Sequence, residues 1–234
     1  MTDSYTALDL ETTGLNPKRD RIIEIGAVKV RDGKITDTFQ SFVNPGRLLQ
    51  ENVRELTGID DDMVKGAPEE AEIIEPLLAF IGGDILLGHK ILFDYSFLKR
   101  IAVNNRLVFE KEGLDTLRLA RKFLPELKSR RLEYLCEYYG IEHTAHRAVG
   151  DARAASGLYL KLAELFYEES REEDFAPRRL IFQIKKEAPI TKSQKERLYK
   201  LLERHKIIIE YDPDKLTRNE ADRIMDHILA EYGR

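Results

Sequence analysis

The first 43 residues constrain the fold more than any other stretch. Residues 5–10 (YTALDL), 22–30 (IIEIGAVKV) and 35–43 (ITDTFQSFV) have the aliphatic, β-branched and aromatic density of strands, and Asp32-Gly33 supplies a two-residue turn between the second and third. An antiparallel start of this kind must bury its sheet against something. The sequence offers helices. Pro68, Glu69 and Glu70 open one in which Ile73, Ile74, Leu77, Leu78 and Ile81 keep helical spacing up to Gly82-Gly83, with a kink expected at Pro76. Ile85-Leu86-Leu87 reads as a fourth, interior strand, and helical segments follow at 94–104, 115–124, 131–139 and 147–168. Strands, a crossover helix, a further strand and more helices predict an α/β layered domain around a mixed sheet flanked by helices.

Residues 168–174 (EESREED) are strongly acidic and read as a frayed helix end or linker. Beyond them Leu180–Ile184 and Ile207–Ile209 read as short strands. Thr191 with Gln194, and Thr217 with Glu220, form capping boxes ahead of two amphipathic helices. The expected organisation is a main domain over 1–168, an acidic-to-basic linker region over 169–190 and a small, mainly helical C-terminal unit over 191–234. The last is too short to bury a robust core alone.

Charge separates these parts. Residues 1–176 hold 24 Lys/Arg against 32 Asp/Glu, whereas residues 177–206 hold ten Lys/Arg against three acids. A main domain with this acidic balance needs local basic patches or bound cations to approach a polyanion. The basic segment is either a solvated helix face or a patch that steers single-stranded nucleic acid by phosphate contacts. Cys136 is the only cysteine, which excludes an intramolecular disulfide and a Cys-based zinc site. No apolar run approaches the roughly 20 residues of a membrane span, and the acidic start does not read as a secretory signal, so no membrane association and a cytoplasmic location are expected.

Against this frame one set of residues carries chemistry. Asp9 and Glu11 stand two apart at the end of the first strand and project from one face, with Leu8 and Leu10 on the other. Asp94 lies in GHKILFDYSFLK (88–99), where a strand end runs into a helix expected to begin near Asp94, with Phe93 and Phe97 placed to fill the core. His146 precedes Asp151 by five in HRAVGDARA (146–154), at the start of an Ala-rich helix. Each element has a plain structural reading by itself: a solvated strand end, a helix cap, a charge offsetting a helix dipole. Four carboxylates brought together would raise one another's pKa unless cations are present, and two divalent ions balance their charge.

In order and spacing, DLETTGL (9–15), GHKILFDYSFL (88–98) and HRAVGD (146–151) resemble the three motifs of the DEDD superfamily of 3'-5' exonucleases, in the histidine-bearing subclass (DEDDh) typified by proofreading exonuclease domains, of epsilon and PolC type, of bacterial DNA polymerases. IIEIGAV (22–28), LTGI (56–59) and LDTLRLARKFLP (114–125) look similar too, and the resemblance covers residues 4–166. It implies a ribonuclease-H-like sheet. It also implies two Mg²⁺ or Mn²⁺ ions held by Asp9, Glu11, Asp94 and Asp151, with His146 as general base. Thr12, Thr13, Gly14, Leu15 and His89 would hold the terminal nucleotide, although Thr12 and Thr13 can equally be the end of a strand. Glu24 and Asp115 read instead as a structural strand carboxylate and a helix N-cap. Lys90 departs from the family's usual Asn and bears on substrate contacts at the second motif.

The activity so implied is metal-dependent 3'-5' hydrolysis of DNA, single-stranded or at frayed ends, releasing nucleoside 5'-monophosphates in proofreading or repair. A polymerase partner would act in trans, since 234 residues hold no polymerase domain. Two alternatives stand beside it: an exoribonuclease trimming RNA 3' ends or short oligoribonucleotides, and a non-catalytic nucleic-acid or polymerase-binding module. The second gives no chemical reason for four clustered carboxylates and a base.

Overall fold

A computed structural model describes residues 2–143, 147–184, 188–209 and 212–233. The chain divides into two compact units, the second made chiefly of residues 185–234.

In the first unit β1 (Tyr5–Thr12), β2 (Ile22–Arg31) and β3 (Lys34–Phe42) form an antiparallel meander. Two short helices, α1 (Glu51–Thr57) and α2 (Asp61–Lys65), which the periodicity did not predict, cover Ile23 with Leu49, Val53, Ile59 and Val64. Helix α3 (Glu70–Ile81) crosses to β4 (Leu86–Gly88), which pairs parallel to β1. Then come α4 (Ile91–Asn104), β5 (Glu112–Asp115), α5 (Thr116–Phe123), α6 (Leu132–Tyr139), α7 (Ala148–Phe166) and α8 (Glu172–Phe175), ending in the two-residue β6 (Arg178–Arg179). The sheet order is β3-β2-β1-β4-β5-β6, with β5 parallel to β4 and β6 antiparallel to β5.

The alternation of β1 decides what each face meets. Leu8 and Leu10 pack with Ile25, Leu86 and the apolar sides of α3 and α4. Tyr5 and Ala7 pack with Val28, Leu87, Leu114 and the Ala-rich side of α7. Small residues let that helix come close: Ala152, Ala154 and Ala155 are buried. Gly26 meets the first turn of α7 so tightly that a Cβ there would lie 2.1 Å from the backbone of Ala148 and Val149.

Three expectations change. Of the region 169–190 expected as a linker, residues 169–184 belong to the first unit: Phe175 is buried among Phe123, Tyr159 and Tyr167, and Leu180 donates its N–H to Lys111 O and fills the space over Gly113. Helix α4 begins at Ile91, so Asp94 lies within its first turn and Lys90, in the left-handed region at φ 80°, is the N-cap. Ile207–Ile209 is irregular chain with Ile208 exposed, and neither it nor Leu180–Ile184 forms a strand.

The second unit contains α9 (Lys192–His205) and α10 (Arg218–Tyr232), both closed at the N-terminus by the expected capping boxes, Thr191 with Gln194 and Thr217 with Glu220. Leu198, Leu201, Leu202, Met225 and Ile228 form its small core.

Candidate active site

The carboxylates meet at the carboxyl end of β1. Asp9 and Glu11 continue the row of Ala7 toward α7, whose first turns carry Asp151, and Asp9, Glu11 and Asp151 each place a carboxylate oxygen within 4.8 Å of the others. Asp94 arrives from the opposite side of the strand end. Its Oδ1 accepts the N–H of Leu10 at 3.1 Å, a bond that fixes α4 to β1 between the two acidic residues. Asp9, Leu10, Leu15, His89, Lys90, Phe93 and Asp94 line one open cleft.

Electrostatics shows what this arrangement costs without a cation. Burial pushes the Asp9 carboxyl well above the usual carboxylate range, and the charges of Asp94, Asp151, Glu11 and Glu24 push the same way. Glu11 is raised to about 7, first by burial and then by Asp151 and Glu24, with Arg147 opposing. Asp94 is held high by burial against the pull of the backbone N–H groups it accepts, with Asp115 and Glu11 adding to the rise. With Asp9, Glu11 and Asp94 resisting ionisation and Asp151 adding a further hard oxygen donor, the set is one that a divalent cation neutralises, so the residues fit such an ion.

Around the cluster the structure assigns plainer roles. Glu24, fully buried opposite Glu11 on β2, accepts from Gln40 Nε2 at 3.0 Å, Arg147 Nη2 at 2.9 Å and Ala148 N at 3.3 Å, and so ties the start of α7 to the sheet. Asp115 caps α5 through the N–H groups of Leu117 and Arg118, and also accepts Lys90 N at 2.9 Å. The carbonyl of Arg130 can only accept, so His89 Nε2 donates to it at 2.8 Å, and Nδ1 faces the Thr116 hydroxyl at 2.9 Å. Burial lowers the His89 pKa, consistent with a neutral ring. With both nitrogens engaged, His89 offers the cleft its ring and not a free donor.

Thr12 Oγ1 donates to Gly14 O at 2.7 Å, and Thr13 Oγ1 accepts Arg21 N at 3.0 Å, so both hydroxyls shape the turn after β1. A Cβ on Gly14 would collide with the Asp20 carboxylate at 2.5 Å. Leu15, 82% exposed, stands at the cleft mouth. His146 lies outside the described residues. Sequence reasoning passed over His143, whose Nε2 is 2.6 Å from Asp151 Oδ1; it stands in the same stretch as His146 but outside the motif, and only the fold brings it to the carboxylate.

The exonuclease family model RNase_T matches residues 6–159, and the chain belongs to that family. Among curated proteins it is 43% identical to the PolC-type DNA polymerase III of Oceanobacillus iheyensis over 171 residues, 71% of this chain and 12% of that one. It is 44% identical to that of Bacillus subtilis over 164 residues, 68% and 11%. The PolC-type enzyme of Halalkalibacterium halodurans aligns with 98% of this chain at 32% identity, and with 17% of its own length. The chain therefore spans a small part of the polymerases it matches. Among solved structures, exonuclease I superposes with a TM-score of 0.63 at 23% identity, covering 74% of this chain and 43% of that one. Exonuclease X in complex with 5' overhanging duplex DNA gives 0.57 at 22%, covering 73% and 99%. The mixed six-stranded sheet is thus the ribonuclease-H-like exonuclease fold. Among the described residues no helix is long and apolar enough to cross a membrane.

Proposed function

We propose that this chain is a DEDDh-type 3'-5' exonuclease that hydrolyses DNA from single-stranded or frayed 3' ends and releases nucleoside 5'-monophosphates. The observation that carries the reading is the convergence of Asp9, Glu11 and Asp151 within 4.8 Å beside a cleft that Asp94 also lines. A surface that merely binds a polyanion has no use for such a cluster, which repels phosphate until it is neutralised.

Asp9, Glu11, Asp94 and Asp151 would hold two Mg²⁺ or Mn²⁺ ions, which when bound supply Lewis-acid stabilisation of charge on the scissile phosphate. The protein's own groups do the rest. His146 takes the proton of the attacking water, a task suited to an imidazole near neutral pKa. The turn Thr12–Leu15 and the His89 ring enclose the terminal nucleotide, with Leu15 and Phe93 as its apolar contacts. Glu24 and Asp115 position the helices that bring Asp151 and Asp94 inward. The first compact unit is read as the catalytic domain, working in the cytoplasm, with a polymerase as its partner in trans.

The test uses two oligonucleotides of one sequence, ssDNA and ssRNA, labelled at the 5' end, with Mg²⁺, Mn²⁺ or EDTA. A ladder shortening from the 3' end, absent in EDTA and faster on DNA, is expected. Faster shortening of RNA transfers the reading to an exoribonuclease, and no shortening by the folded protein transfers it to a binding module.

A further inference from the structure

The first unit is acidic overall, yet residues 117–131 hold six Lys/Arg against a single acid, Glu126. The fold puts this segment beside the cleft. His89 spans the two parts: one ring nitrogen meets Thr116 at the start of α5 and the other Arg130 O at the end of the segment, while its ring lines the cleft. Asp115 adds a second tie, capping α5 while accepting the N–H of Lys90 on the cleft wall.

The six cations divide by what they already do. Arg118 donates to Asp174 O, Lys122 pairs with Asp174 Oδ1, and Arg130 donates to Pro125 O. Arg121, Lys128 and Arg131 are exposed, and among the described residues their side chains have no hydrogen-bond or ion-pair partner. Arg121 is close enough for its charge to act on His89. Downstream, α6 presents Tyr138, 57% exposed and stacked on Tyr134 with ring centroids 6.4 Å apart.

We propose that Arg121, Lys128 and Arg131 form a cationic rim that holds the phosphates of a single strand whose 3' end occupies the cleft, with Tyr138 as a stacking surface for a base. The inference rests on the exonuclease reading and adds the path of the strand to it. Exposed cations without acidic partners release counterions when phosphates replace them, and an aromatic face accepts any base. The carboxylates repel a strand that the rim attracts, so the rim gives an acidic unit its hold on substrate.

The test keeps the full chain and replaces Arg121→Gln, Lys128→Gln and Arg131→Gln together, with circular dichroism and thermal melting to confirm the fold. Three readouts are compared with the parent: KM on a 5'-labelled 30-nucleotide ssDNA, hydrolysis of the p-nitrophenyl ester of thymidine 5'-monophosphate, and binding of the 30-mer by fluorescence anisotropy in EDTA-free buffer with Ca²⁺. Expected are about a tenfold rise in KM or more, unchanged turnover of the ester, and weaker binding with a log-log salt slope shallower by about 2, the counterion release of three phosphate contacts on a single strand. Unchanged binding and salt slope overturn the rim, whether or not the parent cleaves DNA. A parent that cleaves neither substrate while the variant still binds less well means that the exonuclease reading has failed and the rim stands.

Discussion

Glu24 and Arg147, 123 residues apart, are joined by a 2.9 Å ion pair whose carboxylate is completely buried. The same carboxylate accepts Ala148 N, so a residue of β2 anchors the helix that carries Asp151. Gly26, two residues on along the same strand, leaves room for that helix to lie against the sheet. Asp151 therefore reaches Asp9 and Glu11 because of contacts outside the cluster.

Glu24→Ala should loosen this anchor. Arg147 is partly exposed and water can take over part of its solvation, so the expected loss of stability is about 2–3 kcal/mol, below the full cost of breaking a buried pair. Catalysis should fall mainly in kcat, since the cleft residues proposed to contact a nucleotide are untouched. Glu24→Gln keeps an oxygen acceptor for Arg147 and should recover most of the stability. Chemical denaturation with kcat and KM on one substrate checks both parts; equal loss in the two variants would contradict the anchoring role.

The raised carboxyls make the metal-free protein respond to pH in an unusual direction. For Glu11 the folded pKa of about 7 exceeds the ordinary 4.5, so the folded state binds the proton more tightly than the unfolded one. That contribution is complete below about 4.5 and is lost as pH rises through about 7. Asp9 and Asp94 act in the same sense. In EDTA the melting temperature should therefore fall between pH 5.5 and 8, and Mg²⁺ or Mn²⁺ should restore it at pH 8. Metal binding should release protons, read by calorimetry in buffers of differing ionisation heat. A melting temperature independent of metal at pH 8 would sink the assignment of the cluster as a cation site.

The same logic separates a ligand from a structural acid by two measurements at once. Asp9→Asn and Asp94→Asn should abolish hydrolysis of ssDNA, yet Asp9→Asn should raise the melting temperature in EDTA by removing a buried like charge. His146→Ala should lower kcat by roughly 10²- to 10⁴-fold, the range for a general base, and remove the acidic limb of the pH-rate profile. Near-normal turnover of either Asp variant in saturating metal would refute the two-metal reading.

What was legible in the sequence follows from what each feature depends on. The Asp9–Glu11 pair was readable because period 2 on a strand fixes both side chains to one face, whatever packs there. The capping boxes of α9 and α10 were readable because they are local. Asp94 was singled out by its motif, but the helix was expected to begin there and not at Ile91, since a lysine taking φ 80° at position 90 leaves no trace in composition. Helix α8 was missed because its anchor, Phe175, is a single apolar residue beside a run of charges, and β6 because its two residues, Arg178 and Arg179, carry no apolar signal; only the surface that Phe175 and the neighbouring Leu180 fill identifies them. The Glu24–Arg147 pair joins residues far apart in the chain, and the His143–Asp151 contact depends on how the chain between α6 and α7 folds back, neither of which periodicity reports.

The boundary of the first unit gives the last prediction. A chain ending at 176 loses β6, Leu180 and the partly buried Phe182, which pack on the core formed by β1, α3 and α4. Removing two large apolar side chains from a packed site costs about 4 kcal/mol or more, so the 1–176 protein should melt well below the full chain or aggregate. A chain ending at 184 keeps all three. It should fold, melt close to the first unit's transition in the full protein, and hydrolyse the nucleotide ester at the parent rate. It also loses eight of the ten Lys/Arg of residues 177–206. If those cations hold nucleic acid, the 1–184 protein should show a higher KM on a 30-mer and a shallower salt dependence, with little change on a 6-mer. Unchanged KM on both lengths would leave the second unit as a surface for protein and not for DNA.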